Sequence, residues 1–385
     1  MESADNGNQL STLQINVTMT TENNSRDVIS YEENVSLKES EIDCRTFLFV
    51  IYVVVFGMIC VFGLIGNTLS FLVLQWEKHG HVATFLLQVM ALIDNLFLLT
   101  TGFSQIYSAT GTYFGWLYDP VQPFIQMLVW PLVHITQLGT VWITVLIAFN
   151  RYIAICKPFQ APKLCTMSRV RLQVILMVGF CVLYCVPRFF EYRIAYVHDV
   201  RINRTVPIAN ITSLLENDYY KYIYENGLYT LIVFLAPLVM LVMLNACLIR
   251  ELWRARQRAL QRQMPAFVAV DDQENNLTLV MVVIILVFVM CQTPALINNM
   301  LFVLAGSQYV CGRPYFYYFH ISNLLVSANS AVNFVIYCIF RKQFRERLRA
   351  FCHKEMSLVK YSQSTSNCHG QTTTVYTDNC YPTKL

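Results

Sequence analysis

Seven stretches of this chain are so long and so apolar that a lipid bilayer is the natural place to house them. They run Phe47–Gln75, Val82–Tyr107, Val121–Ile155, Val170–Phe190, Ile223–Leu252, Leu277–Leu304 and Tyr315–Phe340. Each reaches the ~20 residues a helix needs to cross about 30 Å of hydrocarbon. Lipid offers no partner to a backbone N–H or C=O, so a spanning segment must be a helix or a strand of a closed barrel. Barrel strands are short and alternate apolar with polar residues, a pattern these blocks lack. The expected fold is therefore all-α: a seven-transmembrane helix bundle over residues 46–340. Only 14% of the residues are charged, against about 25% in soluble domains.

The basic residues orient the bundle. One set of connectors carries Lys78, then Lys157, Lys163, Arg169 and Arg171, then Arg250, Arg254, Arg256, Arg258 and Arg262. Past the seventh block come Arg341, Lys342, Arg345, Arg347 and Arg349. By the positive-inside rule that set is cytoplasmic. Residues 1–45, 108–120, 191–222 and 305–314 then face outward. Glycosylation triplets agree: Asn16, Asn23 and Asn34 begin them in the amino-terminal tail, and Asn203 and Asn210 in the loop after the fourth block. A further triplet at Asn276 falls inside and should be silent. A multi-pass protein of the cell membrane, with its amino terminus outside, is expected. No short apolar run follows Met1, so a cleavable signal peptide is not expected. The net charge of +4 reflects this cytoplasmic excess, not nucleic-acid binding.

Residues 341–352 place Phe340, Phe344, Leu348 and Phe351 at helical spacing with bases opposite, which predicts an interfacial amphipathic helix. Cys352 closes it and is a candidate for palmitoylation. Residues 353–385 are rich in Ser and Thr and are expected to be a disordered cytoplasmic tail. Thr383-Lys384-Leu385 fits the carboxyl-terminal pattern that PDZ scaffolds accept by strand addition, although so short a match also arises by chance.

Polar groups inside lipid are costly and need a reason. Asp94 lies midway along the second block with no base in a nearby block. Asn67, Thr140, Asn329, Ser330 and Asn333 are its candidate partners. Such residues also glue helices together without further role. An unpaired carboxylate suggests either a protonated acid or a bound cation, sodium being the candidate. Of thirteen cysteines six lie inside apolar blocks, where they act as small hydrophobes. Cys44 and Cys311 are the two in external segments, on elements adjacent in a closed ring of seven helices. They are expected to form a disulfide, the alternative being two free thiols.

Several short motifs occur in a telling order: Gly66-Asn67, Ala91-Leu-Ile-Asp94, Asn150-Arg151-Tyr152, Pro237, Cys291-Gln-Thr-Pro294 and Asn333-Phe-Val-Ile-Tyr337. In that order, each in its own block, they resemble the motifs of rhodopsin-like G-protein-coupled receptors over residues 47–352. The resemblance implies that Asn150, Arg151, Tyr152, Glu274, Pro294, Asn333 and Tyr337 serve activation and coupling to a heterotrimeric G protein. Arrestin and receptor kinases would act on the tail. The departures are informative. The family's acid before the arginine is Asn150, which leaves Glu274 as the candidate partner of Arg151. Gln292 and Phe334 replace an aromatic and a proline, and Asn245 replaces a tyrosine. At the family's usual site of a disulfide to the following external loop stands Gln126, and residues 188–222 hold no cysteine.

The third block holds no acid and the seventh no lysine, which argues against the amine and retinal ligands of this family. Gln105, His134, Gln137, Tyr229, Gln292, Asn299, Phe319, His320 and Asn323 line the outer halves of the blocks. That mixed aromatic and neutral-polar set suits amide and aromatic groups, although His134 alone could be a packing residue. Nine acids against three bases in residues 1–45 would attract a cationic partner, or be merely solvated. Pro187-Arg-Phe-Phe-Glu-Tyr192 and Cys291–Leu296 look like invertebrate receptors for FMRFamide-like neuropeptides. That resemblance implies a short basic peptide ending in Arg-Phe-amide. A receptor for another ligand, or a transporter or channel, is the rival reading, but no internal repeat supports the latter. The seven histidines show no HExxH or similar spacing and only His134 and His320 fall within blocks; His79-Gly-His81 could hold a metal but reads better as a short loop, so neither a metal nor an enzyme is expected.

Overall fold

A computed structural model describes residues 42–75, 82–116, 119–199, 203–261, 282–301, 311–342 and 344–351. Seven helices among them are long and apolar enough to cross a membrane: α1 (Ile42–Gln75), α2 (Val82–Phe114), α3 (Gln122–Cys156), α4 (Met167–Phe190), α5 (Tyr220–Glu251), α6 (Val282–Leu301) and α7 (Pro314–Phe340). The protein is a multi-pass membrane protein built as a seven-helix bundle. Its outer surface is apolar, as lipid requires: Met58, Leu183 and Met290 are more than 60% exposed.

α3 is the hub. It packs against α2, α4 and α5, while α1 packs against α2 and α7. One apolar core joins Leu74, Leu86, Met90, Ile147, Val174, Ile284 and Tyr337. A second joins Phe97, Leu138, Val145, Cys181, Phe234, Leu241 and Phe288. A third, of Phe56, Cys60, Leu98 and Ala331, seals α1 to α2 and α7. There Gly63 matters for what it lacks. A Cβ at Gly63 would stand 2.5 Å from Leu98 and 2.8 Å from the Ala331 methyl. One at Gly66 would meet Phe334, 2.8 Å away.

The helices are not uniform. Wide turns, closed by i→i−5 hydrogen bonds, occupy Val50–Val55 in α1, Ile125–Val129 in α3, and Tyr220–Leu228 and Thr230–Leu235 in α5. The last precedes Pro237, which has no N–H to offer the turn before it. Such turns add a residue per turn and re-aim the side chains beyond them. Arg341 leaves helical geometry (φ −109°, ψ 96°), and residues 344–351 turn helical again. Phe344 there is buried and packs on Tyr337, ring centroids 5.6 Å apart.

Three features depart from the sequence-based expectations. α1 begins at Ile42, so Cys44, expected just before the first block, lies in its first turn. α2 continues to Phe114, seven residues beyond Tyr107, so much of the connector expected over 108–120 is helical. The loop after α4, in a chain expected to be all-α, holds a two-stranded antiparallel hairpin: β1 (Tyr192–Asp199) and β2 (Arg204–Ile211), paired from Tyr192↔Ile211 to Asp199↔Arg204. Asn203, with φ of 50°, sits in its turn.

Candidate functional site

Two side chains one helical turn apart on α3, His134 and Gln137, meet α5 at Tyr229. The Tyr229 hydroxyl donates to Gln137 Oε1 (3.1 Å), and the His134 ring stands edge-on to Tyr229, centroids 5.8 Å apart. The next residue, Thr230, accepts a hydrogen bond from Asn299 Nδ2 of α6. α3, α5 and α6 are thus joined by neutral amide and hydroxyl groups. Gln292, about two turns nearer the cytoplasm on α6, is buried, its Oε1 unpartnered among the described residues.

The α4 end closes this group from the side. Pro187 starts a tight turn, Val186–Phe190, that carries Arg188 inward. Arg188 is buried, its Nη1 3.5 Å from Glu191 Oε1, and its guanidinium carbon lies 5.3 Å from the Tyr229 ring centre and 5.7 Å from that of Tyr224. Tyr220 donates to Glu191 Oε1 (2.8 Å), and Tyr224 donates to the Tyr184 carbonyl. Burial pushes the Glu191 carboxyl above its ordinary value, the Arg188 guanidinium and the Tyr220 hydroxyl draw it back, and the charge of Glu225 raises it. Thr212, just past β2, pins the hairpin's base here. Its hydroxyl donates to the carbonyl of Phe190 (2.6 Å) and its N–H to that of Glu191 (3.0 Å). Hydrogen bonds and an ion pair hold the loop where the family's usual disulfide is missing; Gln126 is half-buried on α3.

The remaining pocket residues divide. His320 on α7 shares a hydrogen bond with Tyr52 of α1 (Nδ1 to hydroxyl, 2.7 Å), and Asn323 also reaches the Tyr52 hydroxyl. Phe319 packs against His320, centroids 5.0 Å apart. Gln105 is half-buried on α2. The structure therefore gathers His134, Gln137, Tyr229 and Asn299 at α3–α5–α6, and puts Phe319, His320 and Asn323 toward α1.

Midway down lies the polar layer. Asn333 Nδ2 donates to Asp94 Oδ2 (2.8 Å), and Asn67 Nδ2 donates to the Ser330 carbonyl (2.9 Å). Asp94, Asn67, Asn329, Ser330 and Asn333 are all buried. Thr140 gives its proton to the Gln137 carbonyl of its own helix (2.8 Å). The Pro294 carbonyl of α6 accepts from Tyr318 of α7 (2.9 Å). At the cytoplasmic end, Asn150 donates to the Leu146 carbonyl (2.9 Å) and to Gln173 Oε1 of α4 (3.1 Å). Arg151 and Tyr152 are half-buried beside it, and Arg151 lines a small cleft with Val82, Leu86, Ile147 and Cys165. On the outside, a disulfide joins Cys44 to Cys311, Cα atoms 6.1 Å apart. Asn203 and Asn210 are exposed on the hairpin. Glu274, Cys352, Leu385, Asn16, Asn23 and Asn34 lie outside the described residues.

Sequence reasoning missed Arg188, Glu191, Tyr220, Tyr224 and Thr230 as members of the site. The i, i+3 spacing of Arg188 and Glu191 was the available signal, but it reads equally as an exposed pair at a helix end.

The family model described as 7 transmembrane receptor (rhodopsin family) matches residues 66–337. The chain is 28% identical over 324 residues to the FMRFamide receptor of Drosophila melanogaster, covering 82% of this chain and 57% of that one. It thus spans a little over half the length of that relative. It is 26% identical to the sex peptide receptor of Drosophila melanogaster (78% and 73% covered) and 22% identical to the thyrotropin-releasing hormone receptor of Mus musculus (79% of each).

Proposed function

Because the chain belongs to the rhodopsin family of seven-transmembrane receptors, we propose that it is a cell-surface receptor, amino terminus outside, for a short amidated neuropeptide of the FMRFamide type. It passes the signal to a heterotrimeric G protein. The observation that carries this reading is the neutral polar cluster joining three helices: Tyr229 to Gln137 and Asn299 to Thr230. Backbone amides and a carboxamide are the ligand groups that can exchange partners with such a set without bringing charge into a buried site. The similarity to receptors whose names specify FMRFamide, sex peptide and thyrotropin-releasing hormone supports a peptide ligand.

A ligand that displaces Asn299 from Thr230 loosens α6 from α5. Below it, Pro294 removes one helical hydrogen bond, and Tyr318 holds its carbonyl to α7. α6 can therefore pivot there and swing its cytoplasmic foot outward, uncovering Arg151 for the G protein. Asp94 sits between these ends. Asn67 Oδ1 in the same layer is a buried oxygen without a partner among the described residues, and the Ser330 hydroxyl lies beside Asp94, an oxygen set that fits a monovalent cation such as sodium. The cation would supply positive charge beside the Asp94 carboxylate and hold α2 to α7 in the resting state.

Nucleotide exchange on a purified G protein tests the assignment. The full chain in nanodiscs should accelerate exchange when an amidated Arg-Phe peptide is added. Exchange driven by a small amine and by no amidated peptide would overturn the ligand class.

A further inference from the structure

Two buried nitrogens lie near the Tyr229 ring, and among the described residues neither has a partner. One is Nε of Arg188, a residue 5% exposed; the other is Nδ1 of His134. The guanidinium lies 5.3 Å from the Tyr229 ring centre and the imidazole stands edge-on to the same ring at 5.8 Å. Buried polar groups are rarely left unsatisfied, and each such group calls for an explanation. Each can pair with a ligand group arriving beside Tyr229, Arg188 Nε–H as a donor and His134 Nδ1 as donor or acceptor according to its tautomer.

The surrounding charge decides what kind of oxygen. An isolated buried arginine would select a carboxylate. Arg188 is not isolated, since Glu191 stands 3.5 Å from its Nη1. Glu225 lies one turn before Tyr229 on α5, and its charge is felt at Glu191. The charge of Glu225 also acts on Arg188, so two carboxylates bear on one guanidinium. We propose that Arg188 and His134, with Glu191 and Glu225 behind them, form a subsite that accepts the carbonyl oxygen of a terminal carboxamide and rejects a carboxylate. This rests on the peptide reading above and deepens it by naming the groups that distinguish an amidated end from a free acid. A carboxamide adds no charge, its oxygen accepting from Arg188 Nε–H and its oxygen or its NH2 pairing with His134 Nδ1 in either tautomer, whereas a carboxylate brings its own charge against that of Glu225. The discrimination is a difference in affinity built by repulsion as well as attraction.

The test uses the full chain at the surface of cultured cells, with Phe-Met-Arg-Phe in amidated and free-acid forms and G-protein activation as readout. Wild type should prefer the amide by roughly 100-fold. Glu225→Gln, at a half-exposed position, should gain response to the free acid and narrow that ratio by about tenfold. Arg188→Lys keeps the charge opposite Glu191 but loses the fixed Nε–H, and should cost the amide roughly 10- to 100-fold in potency. An unchanged ratio in Glu225→Gln overturns the subsite, as does full amide potency in Arg188→Lys at matched surface level. If Arg188→Lys fails to reach the surface, the Glu225→Gln ratio decides alone. Silence of the wild type to amidated peptides would instead sink the peptide reading, so the two failures are told apart.

Discussion

Asp94 and Asn333 stand 239 positions apart and meet at 2.8 Å. A carboxylate in lipid demands a partner, which is why the sequence alone groups Asp94 with Asn67 and Asn333. If a sodium ion completes that group, agonist affinity should fall roughly fivefold or more when sodium replaces N-methylglucamine at constant ionic strength. Asp94→Asn should abolish the difference in radioligand binding; a sodium effect that survives the substitution places the ion elsewhere. Arg188 illustrates the opposite situation. An arginine at the end of an apolar block can reach the interface cheaply by extending its stem. Nothing local reveals that Pro187 turns it inward to meet Glu191 and Tyr229. The same reasoning groups Thr140 with Asp94, yet its proton goes to its own helix. A threonine hydroxyl always has that backbone alternative within its own helix. Local chemistry therefore made the necessary partners legible and left the optional ones open.

At the scale of elements, the spans were legible because twenty apolar residues admit few interpretations, and their ends less so. The extension of α2 to Phe114 runs through Ser108, Thr110 and Thr112, polar residues that ordinarily mark a loop. Their hydroxyls instead bind inward, Thr110 and Thr112 to carbonyls four residues back and Ser108 to Gln122 of α3. The hairpin could not be seen either, for its strands alternate weakly and its register is held by Thr212 and Tyr220 against the end of α4. Packing between elements makes its own prediction at two glycines of α1. Gly63→Ala would drive a methyl into Leu98 and Ala331, whereas a Cβ at Gly57 meets nothing within 4 Å among the described residues. Overpacking of this kind costs about 1–3 kcal/mol, while Ala for Gly in an open helical position gains up to ~1 kcal/mol. Thermal unfolding of the detergent-solubilised protein should show a lowered midpoint for Gly63→Ala and an unchanged or raised one for Gly57→Ala. Equal behaviour of the two would show that α1 does not approach α2 and α7 this closely.

For the molecule as a whole, charge and hydropathy carried the seven-span architecture, because the bilayer is a solvent that tolerates few alternatives. The bundle's closure rests on different ground. α1 and α7 are neighbours in space at opposite ends of the chain, and Cys44–Cys311 joins them across 267 residues of sequence. With Phe47 against Tyr317 and Tyr52 against His320 beneath it, the seam between first and last helix is fastened covalently above and by packing below. The backbone thus forms a loop from Cys44 to Cys311, and one cut anywhere within it opens that loop without yielding two separate molecules. A protease site introduced between residues 262 and 281 should, once cleaved, leave two pieces that travel as one band on a non-reducing gel and part when thiol is added. In Cys311→Ser the same cut should release them under both conditions. Pieces that part without thiol in the unsubstituted protein would mean the seam is not closed.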